Sequence, residues 1–254
     1  MAAPLIHCYE TGTGNISTVV LNKPGSGSQV GPDGAKDPVA GDYLVVWLAD
    51  DNVIESVWTA PDASWIQIPG GNCGSIASAC QCTAFIKKVD GTEGVDFSFS
   101  NSLSTGVIGA CILISGVTPH QASAIHEQGG ETIDTLSPIT ISGLTTTVDD
   151  CLVFAIWTFD GGDSISFSVS GTGWTELLEL RRSVTDTFES GGVAYKKMSG
   201  RGASGTCTVS SGSAQDSMAG TQFAIAPPPP PTFIDNGLAA VTRFRSWFHR
   251  RPRM

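Results

Sequence analysis

The sequence predicts an all-β fold, a jelly-roll-like antiparallel β-sandwich built from two pseudo-repeated halves, and three observations carry that prediction. Thirty Gly and fourteen Pro stand in 254 residues with only 15% charged, a composition suited to short strands joined by turns. Apolar runs of strand length recur along the chain. One ordered set of landmarks is written twice, which is how an internal duplication reads in sequence.

The first copy runs Gly41-Asp42-Tyr43-Leu44-Val45-Val46, Trp65, Lys87-Lys88, then Gly109-Ala110-Cys111-Ile112. The second runs Asp149-Asp150-Cys151-Leu152-Val153-Phe154, Trp174, Lys196-Lys197, then Gly220-Thr221-Gln222-Phe223. The offsets are 108, 109, 109 and 111 residues, so the pseudo-repeats cover about 41–117 and 149–226.

In chain order, strands are expected at Ile16 to Leu21, Tyr43 to Leu48, Val53 to Trp58, Trp65 to Ile68, Thr83 to Lys88, Val95 to Phe99 and Val107 to Ile114. The second half offers Leu152 to Phe159, Ser164 to Val169, Trp174 to Leu180, Gly192 to Met198, Thr206 to Val209 and Thr221 to Ala226. Each run is bounded by Gly, Ser, Asp or Pro, the residues that turn a chain. Leu44-Val45-Val46-Trp47-Leu48 reads as buried on both faces, whereas Asp96-Phe97-Ser98-Phe99-Ser100 alternates and shows one face to water. Pro119 to Ser142 reads as a crossover ending in the short strand Ile139-Thr140-Ile141. It carries no Gly/Ser or Pro linker, so 1–226 is expected to be one intertwined sandwich rather than two in tandem.

Charge divides the chain. Residues up to Pro231 carry nine Lys and Arg against 23 Asp and Glu, net −14, while Thr232 to Met254 carries five Arg against Asp235, net +4. An acidic body repels phosphates, so no nucleic-acid partner is expected. The start Met1-Ala2-Ala3-Pro4-Leu5-Ile6-His7 lacks the basic region of a secretory signal, and no apolar run approaches the ~20 residues of a membrane span.

Candidate chemistry is sparse. Seven cysteines make an odd count; Cys111 and Cys151 sit in apolar runs where Cys acts as a small hydrophobe. Cys73, Cys80 and Cys82 have no His or fourth Cys beside them in sequence, so a structural role is expected and no metal. Asp50-Asp51-Asn52 and Asp160-Gly161-Gly162-Asp163 have calcium-ligand character, but the same residues make ordinary hairpin turns. The four His are scattered, and His120 and His126 share the crossover with Glu127 and Glu131. No Gly-x-Ser-x-Gly elbow, His-Glu-x-x-His or phosphate loop occurs, so no catalytic residue and no cofactor are expected. Trp58 and Trp157 are the candidate rings for a lectin-like sugar platform, whereas the duplicated Trp65 and Trp174 fit core packing.

The C-terminal end is unrepeated. Residues 227–232, built on Pro227 to Pro231, form a polyproline spacer of roughly 15 Å. In 233–254 Asp235 can cap a short helix, with Leu238, Val241, Phe244, Trp247 and Phe248 at helical spacing among Arg243, Arg245, Arg250 and Arg251. Such a segment has no core of its own and is expected to anchor on another protein, on copies of itself or on a membrane surface, with folding back on the acidic body as the alternative.

The motif set Gly41-Asp42-x-Leu44-Val45-Val46, Lys87-Lys88, Gly109-Ala110-Cys111-Ile112, Ser115-Gly116-Val117, Thr145-Thr146-Thr147 and Gly173-Trp174-Thr175 resembles a β-sandwich module of tailed-bacteriophage virion proteins. The resemblance spans roughly residues 10 to 226. It implies a non-enzymatic virion protein assembled in the host cytoplasm: a capsid decoration or cement subunit, a head fibre or a tail component. It also implies a homo-oligomer, with a trimer expected, and the major capsid protein or other virion proteins as partners. A tail fibre or receptor-binding protein with a carbohydrate-binding sandwich is the alternative.

Overall fold

The computed structural model describes residues 3–229 apart from 15–16, 51–56, 70–72, 75–79, 103–105, 119–123, 129–131, 135–137, 161–165, 185–186 and 213–216. Every regular element within them is a strand. The first ten are β1 (Leu5–Gly14), β2 (Thr18–Asn22), β3 (Gln29–Val30), β4 (Tyr43–Asp50), β5 (Trp58–Thr59), β6 (Ile66–Gln67), β7 (Cys73–Gly74), β8 (Gln81–Lys88), β9 (Asp96–Asn101) and β10 (Val107–Ser115). The expected crossover supplies β11 (Ile125–Gln128), β12 (Thr132–Asp134) and β13 (Ile139–Ile141), followed by β14 (Thr145–Thr146), β15 (Leu152–Asp160) and β16 (Phe167–Ser170). The last are β17 (Thr175–Val184), β18 (Thr187–Lys197), β19 (Gly202–Ala203), β20 (Cys207–Ser211) and β21 (Met218–Ile225).

Strand pairing builds four layers. The first inner sheet has the order β3-β1-β10-β4-β8-β6, with β7 also on β8, and the second has β11-β21-β15-β18-β17, with β12 also on β21. An outer sheet, β2-β9-β5, covers the first, and β13-β20-β16 covers the second. β14 and β19 form a separate pair. The two inner sheets press against each other: Tyr43, Val45, Trp47, Ile86 and Ile112 share one core with Phe154, Ile156, Val193, Leu178 and Phe223.

This stacking explains the apolar runs. Along β4, Tyr43, Val45, Trp47 and Ala49 enter the central core while Leu44, Val46 and Leu48 enter the core beneath β2-β9-β5. All eight residues of β4 are buried. Each fully buried Val, Leu or Ile contributes about 1.5–3 kcal/mol, so the inner strands hold most of the burial energy. The outer strands keep one wet face, and β9 alternates exposed Asp96, Ser98 and Ser100 with buried Phe97, Phe99 and Asn101.

Two expectations change. Each sheet draws its strands either from residues 5–115 or from 125–225, the expected crossover itself supplying β11, β12 and β13, and the two sets meet face to face through their inner sheets rather than interleaving. The cause is the second apolar face of β4, β10, β15 and β21, which a half leaves uncovered when alone. β1 was not expected, because Thr11-Gly12-Thr13-Gly14 lacks an apolar rhythm. Those glycines are required by β2: a Cβ on Gly12 would lie 2.7 Å from the Val20 carbonyl oxygen, and one on Gly14 1.9 Å from that of Thr18. Of the expected Val53 to Trp58 strand, 53–56 fall outside the described residues, as does the whole segment 230–254 with its expected helix.

Candidate functional site

The described chain leaves the body at a defined place. β21 is hydrogen-bonded to β15 on one side and to β11 and β12 on the other, and it runs directly into Ala226 and Pro227. Ala226 is fastened there, its carbonyl accepting from Thr118 N (3.2 Å) and its own N–H donating to Ala124 O (2.8 Å). The Tyr43 hydroxyl donates to Thr118 O at 2.8 Å, tying the exit to the first half. Ala226 and Pro227 are both buried.

Further polar ties between the two halves lie at the same end. Lys197 Nζ lies 2.5 and 2.7 Å from the two carboxylate oxygens of Asp33, joining the second half to the first. Asp33 also accepts from Ile6 N at 2.7 Å. His7 is buried, with Nδ1 3.1 Å from Gly34 O and Nε2 2.7 Å from Ser115 Oγ. The carbonyl can only accept, so Nδ1 donates to Gly34 O. A hydroxyl–imidazole pair is the raw material of a nucleophile; here both ring nitrogens brace β1 against β10 and the 31–34 turn. An open cleft of about 610 Å³ is lined by Ala40, Gly41, Ser64, Lys88, Val89 and Asp90. At its edge Asp90 is held below the usual carboxylate range by hydrogen bonds from Thr92.

The opposite end carries buried polar groups. Asp50 Oδ2 accepts from Trp58 Nε1 (2.8 Å) and Asn101 Nδ2 (2.7 Å). Glu189 is fully buried and accepts from the Thr158 hydroxyl. The calcium reading of Asp50 meets this network, while Asp51, Asn52 and Gly161 to Asp163 lie outside the described residues.

The aromatic candidates are inside. Trp58 is 6% exposed and Trp157 0%, and Trp157 packs edge-on to Phe167 at 6.0 Å. Sugar stacking needs an open ring face, and neither indole presents one. Trp65 and Trp174 are buried as well. Lys87 Nζ sits 5.9 Å from the Trp65 ring and 3.5 Å from Asp62 Oδ2, its stem buried against the aromatics and its head at the rim. The Lys pair was thus legible as a landmark but not as a packing device.

All seven cysteines are buried free thiols. Burial pushes Cys207 up to about 12 and Cys80, Cys82 and Cys111 well above the ordinary thiol range. Among the described residues no three His, Cys, Asp or Glu are grouped to hold a metal ion, and no helix is long and apolar enough to cross a membrane. His120 lies outside those residues. The side chains of His126 and Glu127 also fall outside the description, as does Glu131. Leu238, Val241, Arg243, Phe244, Arg245, Trp247, Phe248, Arg250 and Arg251 do too. Comparison with protein-family models, with curated proteins and with solved structures finds no match.

Proposed function

We propose that the chain is a non-enzymatic virion structural subunit, a capsid decoration or cement protein that displays a rigid acidic body and attaches through the basic segment 233–254. The observation that carries this reading is the exit of the chain. A partner gripping the tail would pull along β21, an interior strand of an inner sheet pinned at Ala226, and not on a loop. Force is then passed to the ladders on both sides of β21 and to the two cores it lines. The resemblance to tailed-phage virion modules supports the same reading, as does the excess of Asp and Glu over Lys and Arg in the body.

The reading includes a duplicated sandwich unit. What supports it is one offset running through the inner strands. Tyr43 opposes Lys88 and Ile114, and Leu152 opposes Lys197 and Ile225; Ile66 opposes Ile86 and Thr175 opposes Tyr195. Those correspondences are 109 residues apart for β4, β6 and β8 and 111 for β10. Gly41 (φ 98°) and Asp150 (φ 58°), also 109 apart, both take the left-handed turn before the strand. Outer strand β5 corresponds to β16, β9 to β20 and β2 to β13, in the same order. The sequence alignment of Leu44 with Leu152 is one residue out, and a one-residue slip exchanges the faces of a strand.

The test is truncation after Pro231. Full-length and shortened chains are mixed with undecorated capsids and sedimented. Co-sedimentation of the full chain and loss of at least tenfold in affinity on truncation is expected. Equal binding by the two overturns the anchor, with circular dichroism confirming that the shortened body is folded.

A further inference from the structure

Among the described residues, Cys73 and Cys82 are the one pair of cysteines that strand register sets directly opposite each other, on β7 and β8. Directly opposed antiparallel residues have Cα atoms about 4.5–5.5 Å apart, inside the range of about 4.4–6.8 Å that a disulfide spans. The remaining cysteines are differently placed. Cys80 Sγ–H points to Ser217 O at 3.4 Å and Cys8 Sγ–H to Lys36 O at 3.4 Å. Cys8 and Cys111 oppose Leu113 and Glu10 respectively, a diagonal arrangement too long to bridge.

We infer that Cys73 and Cys82 form a latent disulfide site, closed by thiol–disulfide exchange with a small disulfide such as oxidised glutathione. The Cys73 thiol gives its proton to solvent, its sulfur attacks the glutathione S–S bond, and one reduced glutathione leaves. The Cys82 sulfur, deprotonated in turn, displaces the second glutathione from the mixed disulfide. Two protein thiols are oxidised, one glutathione disulfide is reduced to two thiols, and the protein loses two hydrogens.

Access follows from the strand that holds Cys73. β7 is two residues long, lies at a sheet edge and, among the described residues, pairs only with β8, so opening it breaks few ladder bonds. Burial disfavours the Cys82 thiolate, so closure is slow near neutrality and quickens as pH rises. The bond would staple β7 to β8 where β7 lies against β21 and β12 of the other half. It would therefore stiffen the junction between the halves, whether or not the chain belongs to a virion.

The full chain, folded and reduced, is incubated with oxidised glutathione at pH 8, blocked with N-ethylmaleimide, and analysed by intact mass and peptide mapping. Loss of two hydrogens with a mapped Cys73–Cys82 bond is expected, together with a higher melting temperature that dithiothreitol reverses. Cys80→Ser should keep the bond, and Cys73→Ser and Cys82→Ser should each abolish it. A persistent glutathione adduct without closure, a bond mapped to Cys80, or an unoxidised folded chain overturns the inference. The wild-type map decides even if a variant fails to fold.

Discussion

Under the proposed duplication, one shared position is filled with opposite chemistry in the two halves. Where β4 ends, Asp50 is buried and gathers hydrogen bonds from Trp58 and Asn101. Near the end of β15, at the place the proposed duplication pairs with Asp50, Phe159 packs edge-on against Phe167, with ring centroids 5.8 Å apart. Gly109 and Gly220 show the contrary case, because both are forced. A Cβ on Gly109 would meet Leu48 at 2.7 Å, and one on Gly220 would meet Ile141 at 2.6 Å. The backbone of the neighbouring inner strand is also close, Trp47 O at 2.8 Å for Gly109 and Ile156 O at 3.0 Å for Gly220, which favours glycine, whereas a side-chain pocket can be filled by a hydrogen-bonded polar node or by two rings.

The strongest way to break the comparison is to attack the layer the halves share. Trp47 is fully buried there, and a Cβ on Gly191 of the second half would come within 2.8 Å of its ring. Trp47→Ala is expected to cost about 3–5 kcal/mol. Because the central core belongs to both halves, guanidinium unfolding of the wild type should be one transition. The variant should shift it strongly or split it in two. An unchanged midpoint would mean that the halves are stable alone and merely touch.

How much was legible follows from these elements. The all-β class, the two-sided burial of β4 and the wet faces of β9 could be read from period and composition, because burial on one or two faces writes itself into the residue sequence. β1 could not be read, since its glycines answer to β2, which lies elsewhere in space. Nor could the face-to-face joining, because an apolar outer face looks the same whatever covers it. At the exit, the Tyr43–Thr118–Ala226 ties and the Asp33–Lys197 pair link residues far apart in sequence and leave no local signal. The Asp50–Trp58–Asn101 node was hidden for the same reason, its members having been read as a turn and a sugar platform.

That node gives the next expected effect. Asp50→Ala strands the Trp58 and Asn101 donors in a buried site, at a cost of about 1–3 kcal/mol. The combination Asp50→Phe, Trp58→Phe and Asn101→Ser copies the set found in the second half and should recover part of the loss. Chemical denaturation of the four-way set, with the single Asp50→Phe as the reference, measures it. If the triple variant is no better than the single one, the two corners are not interchangeable and the correspondence between halves is looser than strand order suggests.

The smallest effect concerns the ion pair across the halves. Lys197 is about one-third exposed and Asp33 less so, and such pairs contribute about 1 kcal/mol or less, screened by salt. The two partners are not equivalent, however. Lys197→Ala removes only the pair, while Asp33→Ala also removes the acceptor of Ile6 N, which lies at the start of β1. Asp33→Ala should therefore destabilise more than Lys197→Ala, and the excess should persist in 1 M salt, where the contribution of the pair fades. Melting temperatures of both variants at low and high salt test this. Equal losses that both vanish with salt would show that Asp33 acts through its charge alone, leaving the central core as the main bond between the two sandwiches.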